Sequence, residues 1–559
     1  MQASHQRPEQ VDGNFAVQTR GPGKSGPVVS VLVPTFNRPL YLAQALDSVV
    51  RQTYRNLQII VINDGGTDVT DVVKSFGDRR ITFINRRQNH GKPFSLNEAI
   101  THAQGKYVAY LDDDDIYYPH HIETLVDALE NNADYGVAYS DLYKVYCQLG
   151  PDGRRTVLSK VVEVSRDFDR FVMLYFSHVL HVSCLHHRDL LDKTGPYNEG
   201  LNVLIDWDMI RRLAFFSDFY HIHQITGEFY QPVGENDRIS FQRRKNKAEY
   251  TRNVLTIRTA RPAKPWSKLA DLSIVFLAER LDQQAGVTIG LIWRHTFYPY
   301  KLYLPLTGED FGRFNTDMPN VVKVPVEATS TQQQRIDKAL ADCDGEYIAI
   351  VPVGFTVRDM WVEDSLYALF NSASGPRQQR SGAGREAFEL EDSTPACWAV
   401  VARREHLLTA RERYPDLPLN AGLTAAGISV RRLRPDEIPF QFDSLLKEAR
   451  TEEKAGNWRQ AAQIYEYIGE HYNNQLWMKS LAANALFKAG DFSKAAELVS
   501  WVNQRRPTVD TLLLEARIKR RNRDFNAALS LLNGAEDMLA GKVYSKVRTP
   551  AAANIYSKI

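Results

Sequence analysis

Cysteine is scarce and scattered in this 559-residue sequence. The four cysteines stand far apart and form no CxxC pair: Cys147, Cys184, Cys343 and Cys397. The spacing predicts neither a disulfide framework nor a zinc site. Free, isolated cysteines are typical of a reducing compartment, so we expect a cytoplasmic protein.

Long apolar runs and a charge excess are also absent. Because no stretch of about 18 apolar residues occurs, we expect no transmembrane segment, although peripheral binding to the inner membrane face stays open. The 69 basic and 67 acidic residues leave a net charge of +2, which excludes a general nucleic-acid binder. Residues 1–26 lack the apolar core of a secretory signal, and their polar, Gly/Pro-rich composition predicts a disordered lead-in.

The first half of the chain alternates strand-like and helix-like segments. The apolar runs VVSVLVPTF, LQIIVIND and KYVAYLDDDD are separated by amphipathic stretches. Such alternation predicts a parallel sheet covered by helices, an α/β domain over residues 27–265. Polar clusters at 35–38, 63–67 and 112–115 follow the strands, at the edge where such sheets bind ligands.

Residues 266–440 resemble a decayed copy of this domain. SLNEAITHAQGKYVAYLDDDD (95–115) aligns without gaps on RIDKALADCDGEYIAIVPVGF (335–355), and LSIVFLAER (272–280) repeats VSVLVPTFN. Pro352, Val353 and Gly354 stand where the first copy has three aspartates. We expect a degenerate, inactive α/β domain; an unrelated α/β domain is the alternative. Residues 372–394 have the composition of a flexible insertion.

The C-terminal part changes to a helical period. AGNWRQAAQIY (455–465), AGDFSKAAELV (489–499) and RNRDFNAALSL (521–531) recur with spacings of 34 and 33 residues. This period resembles tetratricopeptide repeats and predicts an all-α domain over residues 441–540 with a tail over 541–559. The basic stretch 516–524 is either a solvated helix face or a contact for an acidic partner or membrane surface.

Four consecutive carboxylates follow the strand KYVAYL. Asp112 to Asp115 repel one another at close range, and a divalent cation with oxygen ligands would offset that repulsion. Asp112 and Asp114 point to the same side of an extended chain, so they are candidate ligands for one ion. The alternative is a solvated acidic turn.

Five motifs together resemble the family-2 glycosyltransferases, which have the GT-A fold. PTFNR, NDGGTD, NHGKPFSLNEAI, YLDDDDIYYP and IDWDMIRRL occur in this order within residues 28–240. The resemblance implies transfer of a hexosyl or N-acetylhexosaminyl group from a nucleotide sugar, with UDP as the expected nucleotide, and Mn²⁺ or Mg²⁺ as cofactor.

The resemblance also assigns roles to residues of the donor side. Asp64 would contact the base, or be only a turn residue, and Asn97 would lie at the donor site, or be a helix residue bonded locally. Asp114 would be the direct metal ligand, with Asp112 beside it. The other expected nucleotide-sugar contacts are Thr35, Asn37, Arg38, Lys92, Asp112 and Asp113.

The last motif supplies the candidate catalytic base. The family commonly has an acidic pair where this chain has Ile205 and Asp206, so Asp206 is expected to take the proton from the acceptor hydroxyl. Asp208 is the alternative base, and Asp206 is otherwise only a helix N-cap. Trp207 either stacks on a sugar or packs.

Residues flanking that motif are weaker candidates. Four histidines are expected to pack, with His178 or His181 lining the site as the alternative; the other two are His186 and His187. Asn236, Asp237 and Arg238 are candidates for a loop over the donor.

The leading hypothesis is an inverting transferase whose repeats dock a protein acceptor. A cell-surface polysaccharide or lipid-linked acceptor is the rival within the enzyme class. A non-catalytic sugar-nucleotide-binding scaffold and a bifunctional polymerase with two active domains are the further alternatives; the VPVG at 351–354 argues against the polymerase.

Overall fold

The computed structural model describes most of the chain. It covers residues 26–162, 165–234, 246–313, 320–357, 361–363, 365–366, 369, 386–391, 398–433, 442–471 and 475–539. The expected lead-in before residue 26, the 236–238 loop and the 541–559 tail lie outside these residues.

The first domain contains a mixed sheet whose first four strands are parallel. Their spatial order is β3-β2-β1-β4, continued by β8-β6-β9-β5, with β7 paired to β6. β8 runs antiparallel to β4 and β6, whereas β9 is parallel to β6. The strands are β1 Val29–Thr35, β2 Leu57–Asn63, β3 Ile81–Asn85, β4 Tyr107–Tyr110, β5 Ile116–Tyr117, β6 Tyr135–Leu149, β7 Arg155–Val161, β8 Cys184–His187 and β9 Asp218–Pro232.

Apolar side chains of this sheet pack into helices on both faces. Val31 and Val33 lie in one buried cluster with Leu46 and Leu125, and Leu32 lies in another with Leu96. The predicted α/β architecture is therefore confirmed, since strands buried on both faces are nearly all apolar. The helices are α1 Pro39–Val50, α2 Thr70–Lys74, α3 Lys92–His102, α4 His121–Asn131, α5 Arg170–Tyr175, α6 Leu190–Thr194, α7 Ile205–Leu213 and α8 Lys247–Thr259.

The second domain has a seven-stranded sheet in the order β12-β11-β10-β13-β15-β14-β16. Each neighbour pair has the same relative direction as its counterpart in β3-β2-β1-β4-β8-β6-β9. The strands are β10 Leu272–Leu277, β11 Tyr300–Leu306, β12 Val321–Pro325, β13 Tyr347–Pro352, β14 Glu386–Glu391, β15 Trp398–Arg403 and β16 Ser429–Leu433. The helices are α9 Gln283–His295, α10 Gly308–Arg313, α11 Gln332–Asp342, α12 Arg404–Arg413 and α13 Leu419–Ala425.

Strand β14 shows that part of the expected flexible insertion is ordered. Residues 386–391 fall inside the stretch 372–394, which was expected to be flexible, yet they pair with both β15 and β16. The reason is the segment EAFELE, whose Ala387, Phe388 and Leu390 are buried. The preceding Gly/Ser-rich residues dominated the composition and hid this strand.

One local contact recurs in both sheets. The Gly105 amide donates to Ser30 Oγ at 2.9 Å, and the Gly345 amide donates to Ser273 Oγ at 3.0 Å. A Cβ on Gly105 or Gly345 would lie 2.6 or 2.7 Å from the backbone nitrogen of that serine. Both glycines are therefore required, because two backbone segments approach each other closely at each of these positions.

The C-terminal region is all-α over the described residues 442–471 and 475–539. Its helices are α14 Phe442–Ala455, α15 Trp458–His471, α16 Gln475–Lys488, α17 Phe492–Arg505, α18 Val509–Arg521 and α19 Phe525–Leu539, each packed on the next. The turns before α15 and α17 use Gly456 and Gly490 at φ +83° and +84°. The third unit has Arg523 at φ +63° in the same position, where a side chain is disfavoured.

The helical region is fixed against the first domain. Arg506 bonds to Asp141 and Ser165, and the Val509 amide donates to the Tyr143 hydroxyl at 3.3 Å. Val509 and Met538 share a buried cluster with residues of β5, β6 and β9. None of the described helices combines the length and apolar character that a membrane span requires.

Candidate active site

The acidic run lies where β4 ends, beside the end of β1. Thr35 Oγ1 donates to Asp113 at 2.8 Å, and Arg38 Nη1 lies 3.4 Å from Asp113 and 3.1 Å from Asp114. Burial raises the pKa of Asp113 to about 7; Asp114 adds to this rise, whereas Arg38 and Thr35 oppose it. Asp113, Asp114 and Asp115 are all buried, which does not fit a solvated acidic turn.

Three of the four acids can converge on one ion. Carboxylate oxygens of Asp112, Asp114 and Asp115 lie within 4.8 Å of one another. Asp115, which the sequence did not single out as a ligand, also accepts from the Tyr230 amide at 3.1 Å. This oxygen-rich donor set fits Mg²⁺ or Mn²⁺.

Asn37 joins the loops that follow β1 and β2. Its backbone has φ +58°, a conformation that asparagine tolerates better than most residues. Its Oδ1 accepts from the Thr67 amide at 2.8 Å. A Cβ on Gly66 would lie 2.2 Å from this Oδ1, so the glycine at this position allows the two loops to meet.

Asp64 holds the loop that leads into α3. Its carboxylate accepts from the His90 amide at 3.0 Å, the Gly91 amide at 2.7 Å and Arg86 Nη1 at 3.0 Å. These bonds use three of the roughly four lone-pair sites of a carboxylate. Contact with a base stays a prediction for Asp64. Arg86 was missed by sequence reasoning, although it follows β3 directly.

Lys92 joins the acidic run to the candidate base. Its Nζ lies 2.9 Å from Asp112 Oδ1 and 3.2 Å from Asp206 Oδ1. Burial lowers the pKa of this ammonium, but the carboxylates of Asp112 and Asp206 outweigh burial and raise the pKa well above its usual value. The fold therefore brings two distant motifs to one cation.

The two acids of α7 have different environments. The N-cap position belongs to Leu204, in the left-handed conformation with φ +61°, so the reading of Asp206 as an N-cap is wrong. The Asp206 side chain is 41% exposed, whereas that of Asp208 is 2% exposed and bonds to Arg212 at 2.7 Å. Trp207 is buried and donates to the Met173 carbonyl at 2.9 Å, so it packs.

His181 lines the site beside Asp206. Its Nδ1 lies 3.4 Å from Asp206 Oδ1, its Nε2 lies 2.8 Å from the Tyr197 hydroxyl, and its ring stacks on Tyr110. Burial lowers the pKa of His181 to about 4, with Lys92 acting in the same direction and Asp206 against it. The ring is therefore neutral near pH 7. His178 and His186 are buried in the core, and His187 lies against Tyr107.

Asn97 supports the same network from α3. Its Nδ2 donates to the Tyr197 carbonyl at 3.0 Å and to Glu199 at 2.9 Å, and its Oδ1 accepts from the Tyr197 amide at 2.7 Å. The amide thus positions the residue that contacts His181. Contact with the donor stays a prediction for Asn97.

Comparison with known proteins identifies relatives of the first domain. The family model described as Glycosyl transferase family 2 matches residues 30–184. An uncharacterized glycosyltransferase of Rickettsia prowazekii is 31% identical over 208 residues, which cover 36% of this chain and 62% of that protein. The uncharacterized glycosyltransferase YwdF of Bacillus subtilis is 30% identical over 186 residues, 33% of this chain and 68% of that protein.

Solved structures show weaker likeness. S. aureus TarS 1-349 in complex with UDP-GlcNAc is 18% identical with a TM-score of 0.33, covering 41% of this chain and 66% of that chain. The mannosyltransferase PcManGT from Pyrobaculum calidifontis, in complex with GDP-Man and Mn²⁺, is 19% identical with a TM-score of 0.32, covering 42% and 66%.

Proposed function

The chain belongs to glycosyl transferase family 2, and from that premise we propose that it transfers a sugar from a nucleoside diphosphate to an acceptor hydroxyl, with UDP as nucleotide. The observation that carries the proposal is the contact of the Lys92 ammonium with both Asp112 and Asp206. This contact links the acidic run, which is expected to face the diphosphate, to Asp206, which is expected to act as the base.

The donor side combines cations and carboxylates. Thr35, Asn37, Arg38 and Asp64 are the proposed nucleoside contacts, and Lys92 is a candidate phosphate contact because an ammonium pairs with phosphate as a point charge. Asp114 and Asp112 would hold Mn²⁺ or Mg²⁺, with Asp115 close by. When bound, such an ion neutralises the charge that builds on the departing diphosphate.

Asp206 is the proposed base. Its exposed carboxylate can accept the proton of the acceptor hydroxyl as that oxygen attacks the anomeric carbon. Lys92 and His181 fix the position of the carboxylate, and a neutral His181 leaves its negative charge in place. Attack from the side opposite the diphosphate inverts the anomeric configuration.

The second domain is proposed to be a degenerate, inactive copy. Its strand order and directions repeat those of the first domain. When the strand pairings of the two sheets are superposed, however, Ala278 and Thr307, one residue beyond β10 and β11, align with Thr35 and Asp64. The buried guanidinium of Arg335 donates to the carbonyls of Ala278 at 3.3 Å and Pro305 at 3.0 Å. A protein side chain thus fills the strand ends where the first domain would hold its donor.

The helical region is proposed to be a tetratricopeptide-like repeat that docks a protein acceptor. Phe525, Leu529 and Leu532 of α19 are exposed, and stacked helix pairs offer surfaces for peptides. The contact between Arg506 and Asp141 would hold such a surface at a fixed position relative to the active site. A cell-surface polysaccharide is the rival acceptor.

A cytoplasmic location stays part of the proposal. Its support is that Cys147, Cys184 and Cys343 are free thiols, which are typical of a reducing compartment.

Calorimetric binding of UDP tests the donor site. We expect manganese to tighten UDP binding to the wild type and to the control Asp134→Asn, an exposed acid of the same domain, but not to Asp114→Asn. Equal UDP affinity with and without manganese in all three proteins would reject the metal site and favour a non-catalytic scaffold.

NMR of the anomeric proton in the product tests whether the transfer inverts the anomeric configuration.

A further inference from the structure

A second cluster of metal-binding side chains lies away from the acidic run, where the first domain meets the helical region. His221 and His223 lie two residues apart on β9, and their ring centroids are 4.1 Å apart. Asp167 Oδ1 lies 2.8 Å from His221 Nδ1 and 2.9 Å from His223 Nε2. One carboxylate oxygen is thus shared by two imidazole nitrogens.

We propose that Asp167, His221 and His223 bind a zinc ion or a similar divalent transition metal. Two histidines and one carboxylate, with a fourth position for water, form a common zinc ligand set. Zinc ligand atoms are spaced roughly 3.3 Å apart when the bonds are about 2.0–2.1 Å long, so the two Asp167–histidine distances of 2.8 and 2.9 Å are each about half an ångström shorter than that spacing.

Asp141 has the geometry of a supporting carboxylate. It accepts from His221 Nε2 at 3.0 Å, the ring nitrogen that faces away from Asp167. Metal-bound histidines almost always donate their second ring N–H to a carboxylate or carbonyl, which fixes the tautomer. Asp141 is held in turn by Ser165 at 2.9 Å and by Arg506 of the helical region.

Access and ligand chemistry separate this site from the acidic run. The side chains of His223 and Asp167 are 37% and 30% exposed, so an ion can enter and a water can complete its coordination. Imidazole ligands suit zinc, copper, iron and nickel, whereas the carboxylates of the acidic run suit magnesium or manganese. Bound zinc would tie β9 and residues 165–169 to the helical region through Asp141 and Arg506.

The test uses the full chain, stripped with a chelator, dialysed against zinc and analysed for metal by mass spectrometry. We expect about one zinc per chain in the wild type, in Asp114→Ala and in the control His102→Gln, which alters an exposed histidine of α3. His223→Gln is expected to lose at least nine-tenths of this zinc, and cobalt added to the stripped wild type should give a tetrahedral absorption band.

His221→Gln should also lose zinc, but it removes a buried partner of Asp141, so the more exposed His223→Gln decides the test if the former misfolds. Absence of both zinc and the cobalt band in folded wild type would overturn the proposal and leave an ion-pair network without a metal. Full zinc retention in His223→Gln would overturn it as well. Neither result depends on transferase activity.

Discussion

Asp206 and Asp208 stand two residues apart on α7, and asparagine substitutions should separate chemistry from stability. Asp206→Asn removes the proposed base from an exposed site. General base catalysis contributes roughly 10²–10⁴-fold, so kcat should fall by that factor while the free energy of unfolding changes by less than about 1 kcal/mol.

Asp208→Asn should have the opposite effect. The Asp208 carboxylate is 2% exposed and accepts from Arg212 Nη2 at 2.7 Å and from Nε at 3.1 Å. Removing one partner of a buried ion pair costs roughly 3–5 kcal/mol. Arg212 still donates to the carbonyls of Thr194, Gly195 and Pro196 in this variant. We therefore expect the free energy of unfolding to fall by about 3 kcal/mol and kcat to stay nearly normal.

Urea unfolding monitored by tryptophan fluorescence measures stability, and nucleotide release, normalised to the folded fraction, measures kcat. The reasoning is refuted if Asp206→Asn retains more than a tenth of wild-type turnover. It is refuted equally if folded Asp208→Asn is inactive, because Asp208 would then be the better candidate for the base.

Three further predictions follow from buried contacts. His181→Phe keeps a ring against Tyr110 but loses the contact with Asp206; we expect kcat to fall about tenfold with an unchanged KM for the donor, measured by initial rates. Glu363 has a pKa raised to about 7 by burial, from its usual 4.5, so stability should decline by about 3 kcal/mol as the pH rises through that window. Glu363→Gln should remove this decline, as measured by urea midpoints at pH 5 and pH 8. If the variant lost as much stability between these pH values as the wild type, the assignment of the decline to Glu363 would be contradicted. Arg506→Met leaves Asp141 without its guanidinium partner and should lower the free energy of unfolding by about 3 kcal/mol. Limited proteolysis of this variant should then cut between the second domain and the helices. A variant as resistant to the protease as the wild type would count against a stabilising role of this contact.

Much of the fold could be predicted from local pattern. The apolar runs of β1, β2 and β4 are nearly continuous because both faces of these strands are buried, and Gly105 and Gly345 mark the same close approach in each sheet. The contact between Arg506 and Asp141 joins residues 365 positions apart, so no local period could indicate it.

The candidate site was predictable where polar residues follow strands. Asp112, Asp113 and Asp114 do lie at a strand end, near Arg38. The bonding of individual side chains was not predictable, because it depends on tertiary neighbours. Asp64 holds a loop, Lys92 bridges two motifs, and His181 contacts Asp206 rather than only packing. The spacing of the four cysteines likewise gives no indication of a cluster at His221 and His223.

Nucleotide release, screened across nucleotide sugars with and without manganese and in the presence of acceptor peptides, tests the central claim most directly. We expect one donor to be turned over by the wild type in a metal-dependent manner, and Asp114→Ala to abolish this turnover. No turnover of any donor by folded wild type, or equal turnover by Asp114→Ala, would contradict a metal-dependent glycosyltransferase.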